Sequence, residues 1–285
     1  MTKWLCFIYK CGIVKYLKAN DGGKNMNFFT NPDWFGRPGP FAYNTEFMIC
    51  AILLVALTFI IPILLRRKEQ KTIKTILIVL WGVAVFLDLL KYGYSLISNI
   101  VNGTLTLATL DVPLWTCSMF LYLMPVALFC KKEQIARACM AFICSISFFA
   151  GIINFAMPCD ESLFSFLGLH KTLYHYMLML APAIALGCGY FKLKLQDMKG
   201  IMATLVLFGI PVYVFNVITK QDYMFIYDGS WLPIDMSTVI PFKPLYTLLS
   251  LVLYALVALM MIGIDIGVRK LAKKKNAPTP SAEEA

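Results

Sequence analysis

The stretch FMICAILLVALTFIIPILL, Phe47 to Leu65, followed at once by RRKEQK at 66–71, decides the fold. It holds no charged residue and ends in a basic cluster. A helix that crosses the hydrocarbon core needs roughly 20 mostly apolar residues. Lysine and arginine collect at the cytoplasmic end of such a span. Six further stretches repeat the apolar signal: Thr72–Ile100, Pro113–Cys130, Gln134–Met157, Gly168–Tyr190, Gly200–Thr219 and Lys243–Val268. Lipid offers backbone groups no hydrogen-bond partners, so spans of this length are closed helices. The reading is an all-α, polytopic membrane bundle with about seven transmembrane helices.

Composition points the same way. Of 285 residues, 59% are hydrophobic and 15% charged, against about 45–50% and 25% in a soluble domain. The net charge of +10 is not a nucleic-acid footprint, because the basic residues cluster at span ends. Arg66, Arg67, Lys68, Lys71 and Lys74 lie between the first two spans. Lys131, Lys132 and Arg137 lie between the third and fourth, and Lys192, Lys194 and Lys199 between the fifth and sixth. Arg269, Lys270 and Lys273–Lys275 follow the seventh. The basic loops and the C-terminus are therefore expected in the cytoplasm and the N-terminus outside. Lys3, Lys10, Lys15, Lys18 and Lys24 conflict with that orientation, and the conflict vanishes if translation starts at Met26. The expected division is 1–46, an N-terminal extension with an aromatic, Gly/Pro-rich interfacial segment; 47–268, the transmembrane domain; and 269–285, a basic and then disordered tail.

Nine cysteines are present without a CxxC pair or a metal-like Cys/His spacing, so no metal and no cofactor are expected. Polar residues inside apolar spans are costly and usually face a cavity or the bundle interior. Cys117 lies about 6 Å inside the end of the third span and His175 about 10 Å inside the fifth, at 1.5 Å per residue. A thiol and an imidazole at matched depth are the minimum of a nucleophile–base pair. Asp88 and Lys91 in the second span share a helix face and suggest an ion pair. Asn154 lies about four residues before the outer end of the fourth span and Asn216 about four before that of the sixth. All of these fall in the same half of the bundle, which implies one polar cavity open to the outer leaflet. His170, beside Lys171 at the start of its span, reads as solvated.

Three motifs carry a resemblance. Pro113-Leu114-Trp115-Thr116-Cys117-Ser118 is followed by Pro125; Tyr174-His175-Tyr176 precedes a hydrophobic run; Phe215-Asn216-Val217 precedes Asp222-Tyr223-Met224-Phe225. Their order and spacing, over roughly residues 41–268, resemble the YwaF-like family of bacterial integral membrane proteins. An animal branch of that family transfers polyunsaturated acyl chains onto lyso ether phospholipids. The resemblance implies a lipid acyltransferase or transacylase, with Cys117 as the acyl-accepting nucleophile and His175 as general base and acid. Asn216 would be an oxyanion donor, and Asn154, Asp88, Lys91, Trp115, Asp222 and Tyr223 would line the cavity or bind substrate. It implies phospholipid or lysophospholipid substrates in a bacterial plasma membrane. Two residues depart from the family pattern: Trp115 stands in place of His, and Asp222 in place of Asn. The reading from residues alone keeps a second class open, a non-enzymatic transporter or small-molecule-binding membrane protein.

Overall fold

The computed structural model describes residues 45–106, 112–156, 163, 166–227, 229 and 239–275. The expectations for residues 1–44 and for the tail beyond Lys275 lie outside these. Among the described residues all regular structure is helical. The elements are α1 (Thr45–Leu65), α2 (Gln70–Val101), α3 (Met119–Phe129), α4 (Glu133–Ala156), α5 (Phe166–Gly187), α6 (Asp197–Thr219) and α7 (Lys243–Lys275), with a 3₁₀ turn at Tyr223–Phe225.

Helices α1, α2, α4, α6 and α7 are long and apolar enough to cross a membrane. Their outward faces are greasy: Leu64 and Leu207 are each 71% exposed and Phe59 65%. Such a surface would drive association in water, but in hydrocarbon it meets a matching solvent. The protein is a multi-pass integral membrane protein. Helix α5 packs against α1, α2 and α4, and α4 and α5 are the most enclosed helices of the bundle.

The expected third span differs. Of Pro113–Cys130, only Met119–Phe129 is α-helix, a length of about 16 Å by helical rise. Before it the chain makes a tight turn in which Ser118 N donates to Trp115 O (2.9 Å) and Phe120 N to Cys117 O (3.2 Å). Cys117 therefore sits in the turn that leads into α3, not inside the helix. Pro125 carries no N–H and so cannot bond the carbonyl four residues back, Leu121. The Trp81 indole of α2 supplies that bond at 3.0 Å. The proline thus frees an acceptor, and the tertiary fold fills it.

Helix α4 contains a π-helical turn at Ile143–Ser147, fully buried and packed against α3, α5 and α7. Further along α4, a Cβ on Gly151 would lie 2.8 Å from Met179 Cγ and 3.2 Å from the His175 carbonyl oxygen. Only a residue without a side chain lets α4 approach α5 this closely.

At the basic end the helices are tied by two arginine–aspartate pairs. Arg137 grips Asp197 through Nε–Oδ1 (2.7 Å) and Nη2–Oδ2 (2.8 Å), and donates to Lys192 O at 3.1 Å. Asp197 Oδ2 also accepts from Lys194 N (2.8 Å). Asp265 Oδ2 accepts from Leu193 N (3.0 Å) and Arg269 Nε (3.0 Å), while Arg269 Nη2 donates to Leu193 O (2.6 Å). The α5–α6 connection is held from both sides. Removing one partner leaves a buried charge short of bonds. Arg137→Ala is therefore expected to lower stability by about 2–3 kcal/mol, because the side chain is partly exposed and Asp197 keeps its backbone donor. Thermal unfolding in detergent micelles checks this; an unchanged midpoint refutes it.

Candidate functional site

The ends of α2, α4 and α6 and the starts of α3, α5 and α7 share one end of the bundle, opposite the arginine–aspartate pairs. Two clusters of polar residues lie there.

The first gathers on the face of α5 turned to α2 and the Cys117 turn. Tyr174, 2% exposed, donates its hydroxyl to the Cys117 carbonyl at 3.2 Å. His175 follows directly, its ring edge-on to that of Tyr174 at 5.5 Å between centroids. His175 Nδ1 lies 2.8 Å from Lys171 O. A carbonyl only accepts, so Nδ1 carries the proton and Nε2 keeps the lone pair. Cys117 and His175 are both half-buried, whereas Thr116 and Ser118 on either side of the cysteine are buried. Lys91 acts electrostatically on both Cys117 and His175, and Asp88 acts on Cys117. Lys91 lies with Nζ 5.2 Å from the Tyr92 ring centroid.

Asp88 is 4% exposed and lies with Oδ1 3.6 Å from His170 Nε2, on α5. The expected Asp88–Lys91 pair is replaced by this one. His170, read from sequence as solvated, is 8% exposed. The reason is that α2 continues past the start of α5, as the Tyr94–Phe166 ring contact at 4.8 Å marks. The first turns of α5 are thereby covered. Sequence reasoning missed His170; the signal was its placement four residues before Tyr174 on the same helix face.

The second cluster is built around the segment after α6. Asn216, fully buried, donates Nδ2 to Tyr223 O (2.8 Å) and accepts from Tyr223 N at Oδ1 (3.0 Å). Its carboxamide is occupied by the main chain, which takes away the oxyanion role expected for it. Asp222, also fully buried, accepts from Tyr227 N at Oδ1 and from Gly229 N at Oδ2, both at 2.7 Å. Helix α7 holds the same segment: Tyr246 Oη donates to Phe225 O (3.0 Å), Thr247 Oγ1 to Ile226 O (2.7 Å) and Tyr254 Oη to Met224 O (2.7 Å). Met224 and Phe225 have φ of 60° and 51°, a left-handed backbone that non-glycine residues keep only when their surroundings impose it.

Trp115 joins the two clusters. Its ring lies 4.9 Å from that of Tyr223 and 5.5 Å from that of Phe225. Beside it, Thr116 Oγ1 and Tyr254 Oη are 2.6 Å apart. The large ring that departs from the motif is seated on the 222–229 segment, two residues before Cys117. Asn154 is half-buried in the last turn of α4 and, among the described residues, is not hydrogen-bonded to either cluster. Instead of one polar cavity there is a polar cluster around Tyr174, which meets His170, His175 and the Cys117 carbonyl, and, next to it, a tightly bonded loop. An apolar cavity of about 330 Å³ opens between α6 and α7, lined by Leu205, Ile210, Tyr213, Thr247 and Leu251, with Ile226 of the loop against it.

Among the described residues no group of His, Cys, Asp or Glu could hold a metal ion. The sequence profile of a family described as the TMEM164 family matches residues 40–261. No curated protein and no solved structure matches the chain.

Proposed function

The chain belongs to the TMEM164 family of membrane proteins, and on that premise we propose that it is a lipid acyltransferase or transacylase working through a Cys117 thioester. The observation that carries the reading is the bond from His175 Nδ1 to Lys171 O. It fixes the tautomer and turns the imidazole into a base at Nε2, the role a carboxylate plays for histidine in hydrolytic triads. Tyr174 fastens the Cys117 backbone to the same helix.

In this reading His175 takes the Cys117 proton and the thiolate attacks the ester carbonyl of a phospholipid. The tetrahedral oxyanion meets the N-terminus of α3, the positive end of that helix's dipole. The protonated imidazole then gives its proton to the leaving lysophospholipid alkoxide, and a second lysophospholipid hydroxyl later receives the acyl group. With this end of the bundle at the outer leaflet, the orientation that the basic loops support, a phospholipid ester reaches it without crossing the membrane.

The test is a thiol-directed acyl probe, an acyl-phospholipid analogue, with the labelled residue found by mass spectrometry. Labelling is expected at Cys117 and is expected to vanish in His175→Ala but not in Cys130→Ala. Label spread over several cysteines and indifferent to His175 would favour the transporter or binding-protein reading.

A further inference from the structure

The ion pairs at the basic end of this protein are saturated with bonds. Asp88 and His170 are not. Their side chains are 6% and 9% exposed and stand 3.6 Å apart, beyond a good hydrogen bond. Asp88 Oδ2 and His170 Nε2 are buried with no hydrogen-bond partner. A buried carboxylate and imidazole left this loose add little to bundle stability and are expensive to keep inside a membrane.

Their place is informative. The His170 ring stacks on Tyr174 at 5.5 Å and 13°. Tyr174 in turn touches the His175 ring and donates to the Cys117 carbonyl. Tyr174 thus meets two imidazoles, His170 one turn before it on the same helix face and His175 next to it in the chain, and it also holds the Cys117 carbonyl. Acyl transfer moves a proton in each half-reaction, from Cys117 in the first and from the acceptor hydroxyl in the second, and two separate imidazoles allow each step its own base. His175, held by Lys171 O, serves the first.

We propose that His170, oriented by Asp88, is the general base for the acyl acceptor in the second half-reaction; this rests on the thioester reading above. Asp88 draws the Nε2–H of His170 toward its carboxylate, which leaves Nδ1 with the lone pair. Nδ1 takes the proton of a lysophospholipid hydroxyl as its oxygen attacks the Cys117 thioester carbonyl. The C–O ester bond forms, the C–S bond breaks, and the proton returns from the imidazolium to the departing sulfur. His170 is catalytic in this scheme and Asp88 is a positioning residue.

The experiment separates the half-reactions. Wild type, His170→Gln and the isosteric Asp88→Asn are mixed in detergent micelles with a polyunsaturated phosphatidylcholine, then with lysophosphatidylcholine. Acyl-Cys117 is followed by intact mass and transfer by product analysis. In His170→Gln, adduct formation is expected within about threefold of wild type while transfer falls roughly 10²–10⁴-fold, the usual worth of a general base. The adduct therefore accumulates. Asp88→Asn shows the same split, less deeply, and is the readout if His170→Gln does not fold. Transfer at the wild-type rate overturns the proposal, and so does a parallel loss of both steps. If wild type forms no acyl-Cys117, the thioester reading fails and this proposal fails with it; if the adduct forms and His170→Gln transfers normally, only this proposal fails.

Discussion

Cys117→Ala should abolish acyl transfer, lowering the rate by on the order of 10³ or more, since removing a nucleophile takes away the covalent route entirely. The protein itself should survive. Cys117 is half-buried at a turn, and the loss of one small sulfhydryl there is worth about 1 kcal/mol or less. Cys117→Ser keeps the shape but offers a hydroxyl that is much harder to ionise, so it should retain at most a trace of transfer. Cys144→Ala is the matched control, because that thiol is buried at 0% exposure within the π-helical turn of α4. Product analysis with a labelled donor phospholipid decides the matter. Transfer by Cys117→Ala above about a tenth of wild type would sink the thioester reading, since no surviving side chain could supply that fraction.

The largest structural effect should come from Asp222→Ala. Both carboxylate oxygens take buried backbone donors, Tyr227 N and Gly229 N, at 2.7 Å. Leaving such groups without partners costs about 1–3 kcal/mol each. The segment also stores left-handed backbone at Met224 and Phe225, which holds only while its anchors do. The expected outcome is loss of hydrogen-exchange protection at Tyr227 and Gly229 and a lower unfolding midpoint. Loosening should spread to Trp115, whose ring rests on Tyr223 and Phe225, and from there to the Cys117 turn. Asp222→Asn, the residue of the resembling motif, still has one oxygen to accept with and should lose about half as much. Unaltered exchange at Tyr227 in Asp222→Ala would show that the carboxylate does not organise this loop.

The candidate residues were legible because burial of polarity in a span is visible in one dimension. Cys117, His175, Asp88 and Lys91 stand out against apolar neighbours, and the structure gives three of them partners the sequence does not name: Tyr174 for the Cys117 carbonyl, Lys171 O for His175 and His170 for Asp88. His170 was read as solvated from its position near a span end beside Lys171. That reading assumed helices of matched extent, whereas α2 overruns the start of α5 and seals His170 against Asp88. Asn216 was read as an oxyanion donor, yet its partner is the main chain of Tyr223, seven residues on. A loop that folds back on its own helix leaves no periodic trace. The Arg137–Asp197 clamp was equally silent, because both residues look like ordinary loop-end charges until the chain is folded.

By itself the sequence determined that this chain is a helical membrane bundle, and which end of each helix carries the basic residues. Both follow from the free energy of transferring side chains from water to lipid, a property of each residue and its near neighbours. The tertiary structure alone decided that the third span shrinks to α3 with Cys117 in its entry turn. It alone decided that His175 gives Nδ1–H to Lys171 O, that Asp88 turns to His170 and not to Lys91, and that Asn216 and Asp222 bind a loop. These are pairings between groups distant in the chain, or choices among partners a few residues apart. They depend on helix offset, crossing and close approach at positions such as Gly151, which hydropathy does not encode.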